Sequence, residues 1–295
     1  MKHKTVLITG ATGFIGKHLL HELCKPMYEK RYRILCFVRK AIDARSIVGA
    51  LNDRNSVFRA TKHVDYVVHL AGETKSSNKK LNYAANVIGT RNFVEACERN
   101  GVRKFVFCGT VNADLKQRGV YGETKRQAEA MVKGSRLDYV VLKFNMVYGE
   151  GDNNLSKTIR LVKKIPILPI IGGGEGKIQP VYVEDVVYAI VRCLKIKKLK
   201  EKTYSLAGPH PMTFNEYLDT ILDVLSLKRM KIHIPVPFMR ALVMVCGGIF
   251  RNVITPEIVN SITQDKNVDI RPAQRDLHFK PRDFKAMLCY MNRGN

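Results

Sequence analysis

Short apolar runs rich in Val and Ile alternate, through the first half of the chain, with longer segments whose apolar positions recur at helical spacing. The short runs predict strands over residues 5–9, 33–38, 46–49, 66–70, 104–108 and 139–144. Leu19, Leu20 and Leu23 share one face of a predicted helix over residues 14–24. Val87, Thr90, Val94 and Cys97 form the stripe of a second helix over residues 83–100, closed by Gly101 as a C-cap. The strand runs are nearly continuous in apolar character. That pattern requires a sheet covered on both faces, hence parallel strands joined by helical crossovers. The predicted fold class is therefore α/β, a doubly wound parallel sheet of Rossmann type.

The character changes after Gly149. Residues 151–154 are polar, Pro166 and Pro169 punctuate an apolar stretch, and residues 172–176 form a glycine-rich turn. Further turns fall at Pro209, Pro211, Pro235 and Pro237. This predicts a dinucleotide-binding unit over 1–150, rejoined by 177–195 as a strand-to-helix segment. A smaller, interleaved C-terminal lobe is expected to take 151–176 and 196–295.

Composition narrows the classes. The chain of 295 residues is 45% hydrophobic and 26% charged, ordinary for a globular protein with one large core. The first apolar run, 5–8, is too short for a secretory h-region, and a cytoplasmic protein is expected. Residues 241–250 are the longest apolar stretch, closed by Arg240 and Arg251, and have about half the length that a bilayer requires. Cysteines at 24, 36, 97, 108, 193, 246 and 289 have no metal-ligand spacing and read as small buried hydrophobes. No His-x-x-x-His pair occurs, and no metal site is expected.

Charge is the oddity: Lys and Arg number 50 against 26 acids, a formal net charge of +24. The basic residues are dispersed, with short clusters at 163–164, 195–202 and 228–231. They read either as a solvated surface that attracts phosphate-bearing ligands or as the footprint of an anionic partner. No aromatic-interleaved Arg stretch suggests specific nucleic-acid binding. Residues 238–250, beside the basic stretch 228–240, read either as a core helix or as an element lying on an anionic membrane.

The sharpest motif is Thr9-Gly10-Ala11-Thr12-Gly13-Phe14-Ile15-Gly16, directly between the first strand and the first helix. Gly10 permits a tight turn, Gly13 a close approach of backbone to a pyrophosphate, and Gly16 close packing of helix on sheet. The helix N-terminus offers free N–H groups and a positive dipole end to the phosphates. The second strand ends at Arg39-Lys40 and not at an acid, which favours the 2′-phosphate of NADP(H). Asp43 lies close enough to keep NAD(H) open.

Tyr121-Gly122-Glu123-Thr124-Lys125 is the candidate catalytic element. On a helix, residues four apart share a face, so the Lys125 ammonium is expected beside the Tyr121 phenol. A neighbouring cation is expected to lower the phenol below its usual value of about 10, making it a proton carrier near neutrality. Tyr139 and Lys143 share the spacing but fall in a β-branched run, where about 13 Å of strand separates them.

These motifs resemble the extended and atypical short-chain dehydrogenase/reductases, the NAD-dependent epimerase/dehydratase group. The likeness covers most of the chain. Val67-Val68-His69-Leu70-Ala71-Gly72 resembles the family's fourth strand, and Asn86-Val87-Ile88-Gly89-Thr90 its Asn-x-x-Gly-Thr helix. Phe105-Val106-Phe107-Cys108-Gly109-Thr110 resembles the strand that ends in the catalytic hydroxyl. Val147-Tyr148-Gly149 and Gln179-Pro180-Val181-Tyr182-Val183-Glu184-Asp185-Val186 resemble later signatures. The last of these, with Leu206-Ala207-Gly208-Pro209, is most similar to the branch containing the dehydrogenase-like accessory subunit of respiratory complex I.

The resemblance implies catalysis by Thr110, Tyr121 and Lys125. It implies cofactor contacts at Gly10, Thr12, Gly13, Phe14, Ile15, Gly16, Arg39, Lys40, Leu51, Leu70, Ala71, Gly72, Asn86, Tyr121, Lys125, Phe144 and Val147. The chain departs from the family at Thr110, where serine is usual, at Ala50, where an acid is common, and at Phe144, where proline is usual. The implied activity is NAD(P)-dependent oxidation, reduction or epimerisation of a small hydroxyl- or carbonyl-bearing molecule. A non-catalytic nucleotide-binding subunit and a peripheral membrane enzyme acting on a lipid or quinone are the other readings.

Overall fold

The computed structural model describes residues 3–74, 78–245 and 263–293. Its strands begin with β1 (Lys4–Thr9), β2 (Tyr32–Val38), β3 (Ser46–Val48), β4 (Tyr66–His69), β5 (Lys104–Thr110) and β6 (Tyr139–Phe144). They continue with β7 (Val147–Tyr148), β8 (Ile167–Ile171), β9 (Lys177–Ile178), β10 (Val181–Tyr182), β11 (Lys202–Leu206), β12 (Met212–Thr213) and β13 (Met230–Ile234). Seven of them form one sheet in the order β11-β6-β5-β4-β1-β2-β3. All its pairings are parallel. The order reverses between β1 and β4, the switch point at which doubly wound sheets open a crevice for ligands. Strand interiors are buried throughout, as the unbroken apolar runs required.

Helices cover both faces. The main ones on the sheet are α1 (Phe14–Leu23), α3 (Arg54–Ala60), α5 (Gly89–Arg99), α6 (Val120–Lys133) and α8 (Val183–Lys195). Short helices α2 (Pro26–Glu29) and α4 (Lys79–Asn82) join them, and α7 (Asn154–Lys164) follows β7. Leu19 and Leu23 of α1 and Val186, Ile190 and Leu194 of α8 fill one core layer; Val57, Phe93, Cys97, Ala128 and Val132 fill the opposite one.

The second helix departs from its expected form. It starts at Lys79, and Tyr83–Ile88 is a π-helical stretch that runs directly into α5. All four predicted stripe residues, Val87, Thr90, Val94 and Cys97, are buried, and Gly101 takes the left-handed conformation beyond the cap. A one-residue widening leaves no trace in a 3.6-residue periodicity, because the residues after it resume the same spacing.

The division into lobes needs a correction. Residues 202–206 fall within the second lobe predicted over 196–295. Instead β11 pairs with β6 as an edge of the main sheet, with Tyr204 and Leu206 buried. Its alternating character, Lys-Thr-Tyr-Ser-Leu, suits an edge covered on one face. Helix α11 (Arg271–Leu277) likewise packs its Ala273 and Leu277 into the main core.

The second lobe has its own core. Tyr148, Leu155, Val162, Leu168 and Ile170 meet Tyr217 and Ile221 of α9 (Phe214–Val224) and Phe284 and Leu288 of α12 (Phe284–Arg293). A capping box at Thr213 and Glu216 starts α9. Two small sheets, β9 with β12 and β8 with β13, flank this core. Helix α10 (Val236–Val245) follows β13, and the remainder of the predicted 238–250 element, with Cys246, lies outside the described residues. Cys24, at the C-cap of α1, and Cys289, within α12, are only part-buried, unlike Cys36, Cys97, Cys108 and Cys193.

Candidate active site

The dinucleotide turn leaves β1 at the switch point. Gly10 has a φ of 74°, and a Cβ there would lie 2.8 Å from the Ala71 nitrogen, so only glycine lets the loops after β1 and β4 touch. Gly16 is tighter still: a Cβ would sit 2.1 Å from the Gly10 oxygen. Gly13 is the N-cap of α1 and supplies no side-chain cap, and no acid stands in the first turn. The first N–H groups of α1 are thus left without a carboxylate or hydroxyl partner from the helix's own cap, which fits a pyrophosphate. Phe14 and Ile15 pack against the second-lobe core, so the same turn touches both lobes.

Beneath the turn lies a buried polar cross-link that the sequence reading assigned no role. The His69 Nδ1 is 3.0 Å from the Thr9 hydroxyl and its Nε2 is 3.2 Å from the Thr90 hydroxyl. The Ala71 N–H donates to the same Thr9 oxygen at 3.1 Å. Burial, with Lys125 nearby, pushes His69 down to about 3, so the ring is neutral. A polar residue ending an otherwise apolar strand, Val67-Val68-His69, was the available signal.

Arg39 and Lys40 follow β2 directly and are exposed. Asp43 is engaged elsewhere: Arg45 donates to its carboxylate from Nε at 2.9 Å and from its backbone N–H at 2.9 Å. These bonds hold Asp43 below the usual carboxylate range. Leu51, an implied cofactor contact, is pinned through its carbonyl by the Asn92 amide at 2.9 Å.

Thr110, Tyr121, Lys125 and Asn86 converge past the C-terminal ends of β4 and β5. Lys125 is buried and donates from Nζ to the Cys108 carbonyl at 2.7 Å, with Nζ 4.4 Å above the Phe107 ring centre. Burial lowers its ammonium to about 8. Asn86 exchanges hydrogen bonds with the Glu73 backbone at 2.8 and 3.0 Å and donates to the Thr124 hydroxyl at 3.0 Å. A Cβ at Gly72 would strike the Asn86 oxygen at 2.6 Å and reach 4.0 Å from Lys125 Nζ, so Gly72 separates the two only by its missing side chain.

Tyr121 corrects one expectation. Its phenol was to be lowered by Lys125; it is instead pushed up to about 12 by burial, opposed by a hydrogen bond with Thr110. Lys125 is turned toward the Cys108 carbonyl and exerts no resolved pull on the phenol. The decoy pair separates as expected: Tyr139 and Lys143 lie on β6, and Lys143 makes ion pairs with Asp114 at 2.6 Å and Glu129 at 3.1 Å. Phe144 is buried, and Val147 sits in β7, paired with β10.

Bonds beside the turn fix α1, α8 and the chain around them. His18 of α1 bonds Glu184 at 2.7 Å and the Glu150 carbonyl at 2.9 Å. Asp185 takes two bonds from Arg282, each 2.8 Å, and Gln179 donates to the Gly208 carbonyl at 2.7 Å while accepting from the Val268 N–H at 3.0 Å.

The sequence profile of the NAD dependent epimerase/dehydratase family matches residues 6–207. The chain belongs to that family. The mitochondrial NADH dehydrogenase (ubiquinone) 1 alpha subcomplex subunit 9 of Arabidopsis thaliana is 27% identical over 250 residues, 80% of this chain and 61% of its own length. This chain therefore spans less than two thirds of that relative. UDP-glucose 4-epimerase of Vibrio cholerae is 25% identical over 309 residues, covering 94% of this chain and 91% of that protein. The solved dTDP-glucose 4,6-dehydratase of Streptomyces venezuelae, with NAD and TYD bound, shares the fold at a TM-score of 0.79 and 18% identity over 98% of this chain and 96% of that one. Other similar relatives are named as a sterol-4-alpha-carboxylate 3-dehydrogenase of Homo sapiens and a 2-alkyl-3-oxoalkanoate reductase of Stenotrophomonas maltophilia.

Proposed function

We propose that this protein is an NADP(H)-preferring reductase of a small carbonyl compound, with Tyr121 as proton donor. The observation that carries the reading is the convergence of Thr110, Tyr121 and the buried Lys125 past the ends of β4 and β5. Burial keeps the phenol protonated, the form that carbonyl reduction requires of its proton donor. A reduced nicotinamide bound along the β1 turn would supply the hydride. The Thr110 hydroxyl orients the substrate oxygen beside the phenol. Tyr121 gives that oxygen its proton as the carbonyl carbon gains hydride, so the alcohol leaves neutral. Lys125, bonded to the Cys108 carbonyl, fixes the strand that ends in Thr110.

NADP(H) preference is supported by Arg39 and Lys40 at the end of β2 and by the engagement of Asp43 with Arg45. The test is oxidation of NADPH and NADH against ketones, 3-oxo acids, sterol ketones and nucleotide-linked keto sugars. Reduction of one class with NADPH, abolished by Tyr121→Phe, supports the assignment. Tight cofactor binding with no turnover on any class, unaltered by Tyr121→Phe, would leave the nucleotide-binding, non-catalytic reading.

A further inference from the structure

The second lobe presents an apolar sheet face to solvent. β8 and β13 pair in parallel, with Met230 beside Ile167, Ile232 beside Pro169 and Ile234 beside Ile171. Leu168 and Ile170, the alternate positions, are buried in the lobe's core, which aims the six partners outward. Met230 is 61% exposed, Ile232 45% and Ile167 42%. Phe238, just beyond on α10, is 61% exposed, and Leu161 on α7 is 49% exposed. The water-facing side of a small sheet is ordinarily polar; here all six outward positions are apolar.

The segments bearing this face are basic and contain no acid. Residues 154–171 and 224–239 carry Lys157, Arg160, Lys163, Lys164, Lys228 and Arg229, beside a Lys231 paired with Asp219, and no Asp or Glu. Arg229 donates to the Val162 carbonyl at 2.7 Å, and the Met230 N–H donates to the Pro166 carbonyl at 3.1 Å. These bonds gather the exposed Lys163, Lys164 and Lys228 at the Met230–Ile167 end of the sheet. The neighbouring carboxylates face cations of their own: Asp219 pairs with Lys231 and Asp223 with Lys285.

We propose that this face docks onto an anionic lipid bilayer, with Met230, Ile232, Ile167 and Phe238 entering the headgroup–acyl boundary and the lysines meeting lipid phosphates. The charge decides among occupants. A second copy of a chain with a net charge of +24 is repelled from a basic rim, whereas an anionic surface is drawn to it. Nucleic acid offers no counterpart for the bare aliphatic centre. No helix among the described residues is long and apolar enough to cross a membrane, so the contact is interfacial. This surface is independent of the catalytic reading above.

The test is flotation of the full chain with vesicles of phosphatidylcholine alone and with about one third phosphatidylserine. Binding is expected only to the second, and weakening as salt rises. Met230→Asp with Ile232→Asp should abolish it. Lys163→Gln with Lys164→Gln should lower partitioning roughly 25-fold, at about fivefold per charge. Neutralising the equally exposed Lys197 and Lys198 should leave it nearly unchanged. Absence of binding, or equal loss in all three variants, would overturn the proposal. So would a dimer broken by Ile232→Asp without vesicle binding, which assigns the face to a second copy. A large fall in melting temperature in Ile232→Asp would assign it to the chain's own packing.

Discussion

Gly13 and Gly16 stand three residues apart on the same turn, and the structure expects them to fail for different reasons. In Gly16→Ala the new methyl lies 2.1 Å from the Gly10 oxygen and 2.8 and 2.9 Å from the Ala11 backbone. No side chain can yield there, so the start of α1 must retreat from β1 by about 1 Å to restore ordinary contact. Overpacking against rigid backbone costs about 1–3 kcal/mol, and this overlap belongs at the upper end. At roughly 2–4 °C per kcal/mol for a chain of this size, melting should fall by roughly 6–12 °C. In Gly13→Ala the one close contact is 3.2 Å, and the backbone, with φ −76° and ψ 174°, is open to any residue. Its melting temperature should stay within about 2 °C, while its methyl stands over the open first turn of α1. Affinity for NADH and NADPH should then drop about tenfold or more. Scanning fluorimetry and titration calorimetry on the two variants read both quantities. Unchanged cofactor affinity in Gly13→Ala would remove the pyrophosphate from this turn; unchanged melting in Gly16→Ala would refute the packing argument.

Three further outcomes are expected. Arg39→Ala should reduce the NADPH preference by about tenfold, the worth of one charge-assisted contact, with NADH affinity unmoved; equal loss for both cofactors would make Arg39 mere surface charge. Tyr121→Phe should cut turnover by about 10²–10⁴-fold with little change in cofactor affinity, whereas Lys125→Met should damage both, as measured by steady-state kinetics and calorimetry. His69, held at about 3 when folded, takes up a proton near its usual 6.5 only on unfolding. Its contribution is therefore full above that value and lost as pH falls toward 3. From pH 7 to pH 5 this amounts to about 2 kcal/mol, and His69→Phe should flatten that part of the denaturant-unfolding profile by comparison with the parent chain.

The main sheet was legible because its strands are buried on both faces and so are written as unbroken Val and Ile runs. β11 was not, since an edge strand with Thr and Ser at alternate positions resembles the loops around it. The glycine turn and the Tyr121–Lys125 helix could be located from spacing together with the strand and helix character of the flanking residues. What spacing could not reveal was the direction in which Lys125 spends its charge: its partner, the Cys108 carbonyl, is backbone and carries no signature. The same holds for His69, whose hydroxyl partners Thr9 and Thr90 come from distant elements and meet only in the fold. The lobe boundaries escaped because turns mark where the chain bends, not which core it returns to.

The π-helical stretch Tyr83–Ile88 has a consequence for how this chain tolerates a change in length. A π turn houses one residue more than an α turn, so it is an insertion already absorbed, with the helix on either side keeping its rotational phase. Losing one residue at Ala84 or Ala85 lets the stretch tighten to ordinary α geometry while Phe93 and Cys97 still face the sheet. The same loss two turns later would swing everything beyond it by about 100° and turn that apolar stripe away from β4 and β5. The slack is not idle, however. Asn86 lies within it, and the wider turn sets the angle at which its amide reaches both the Glu73 backbone and Thr124. A shortened chain would thus keep its architecture and lose the aim of one side chain, a separation of folding from function confined to a single turn.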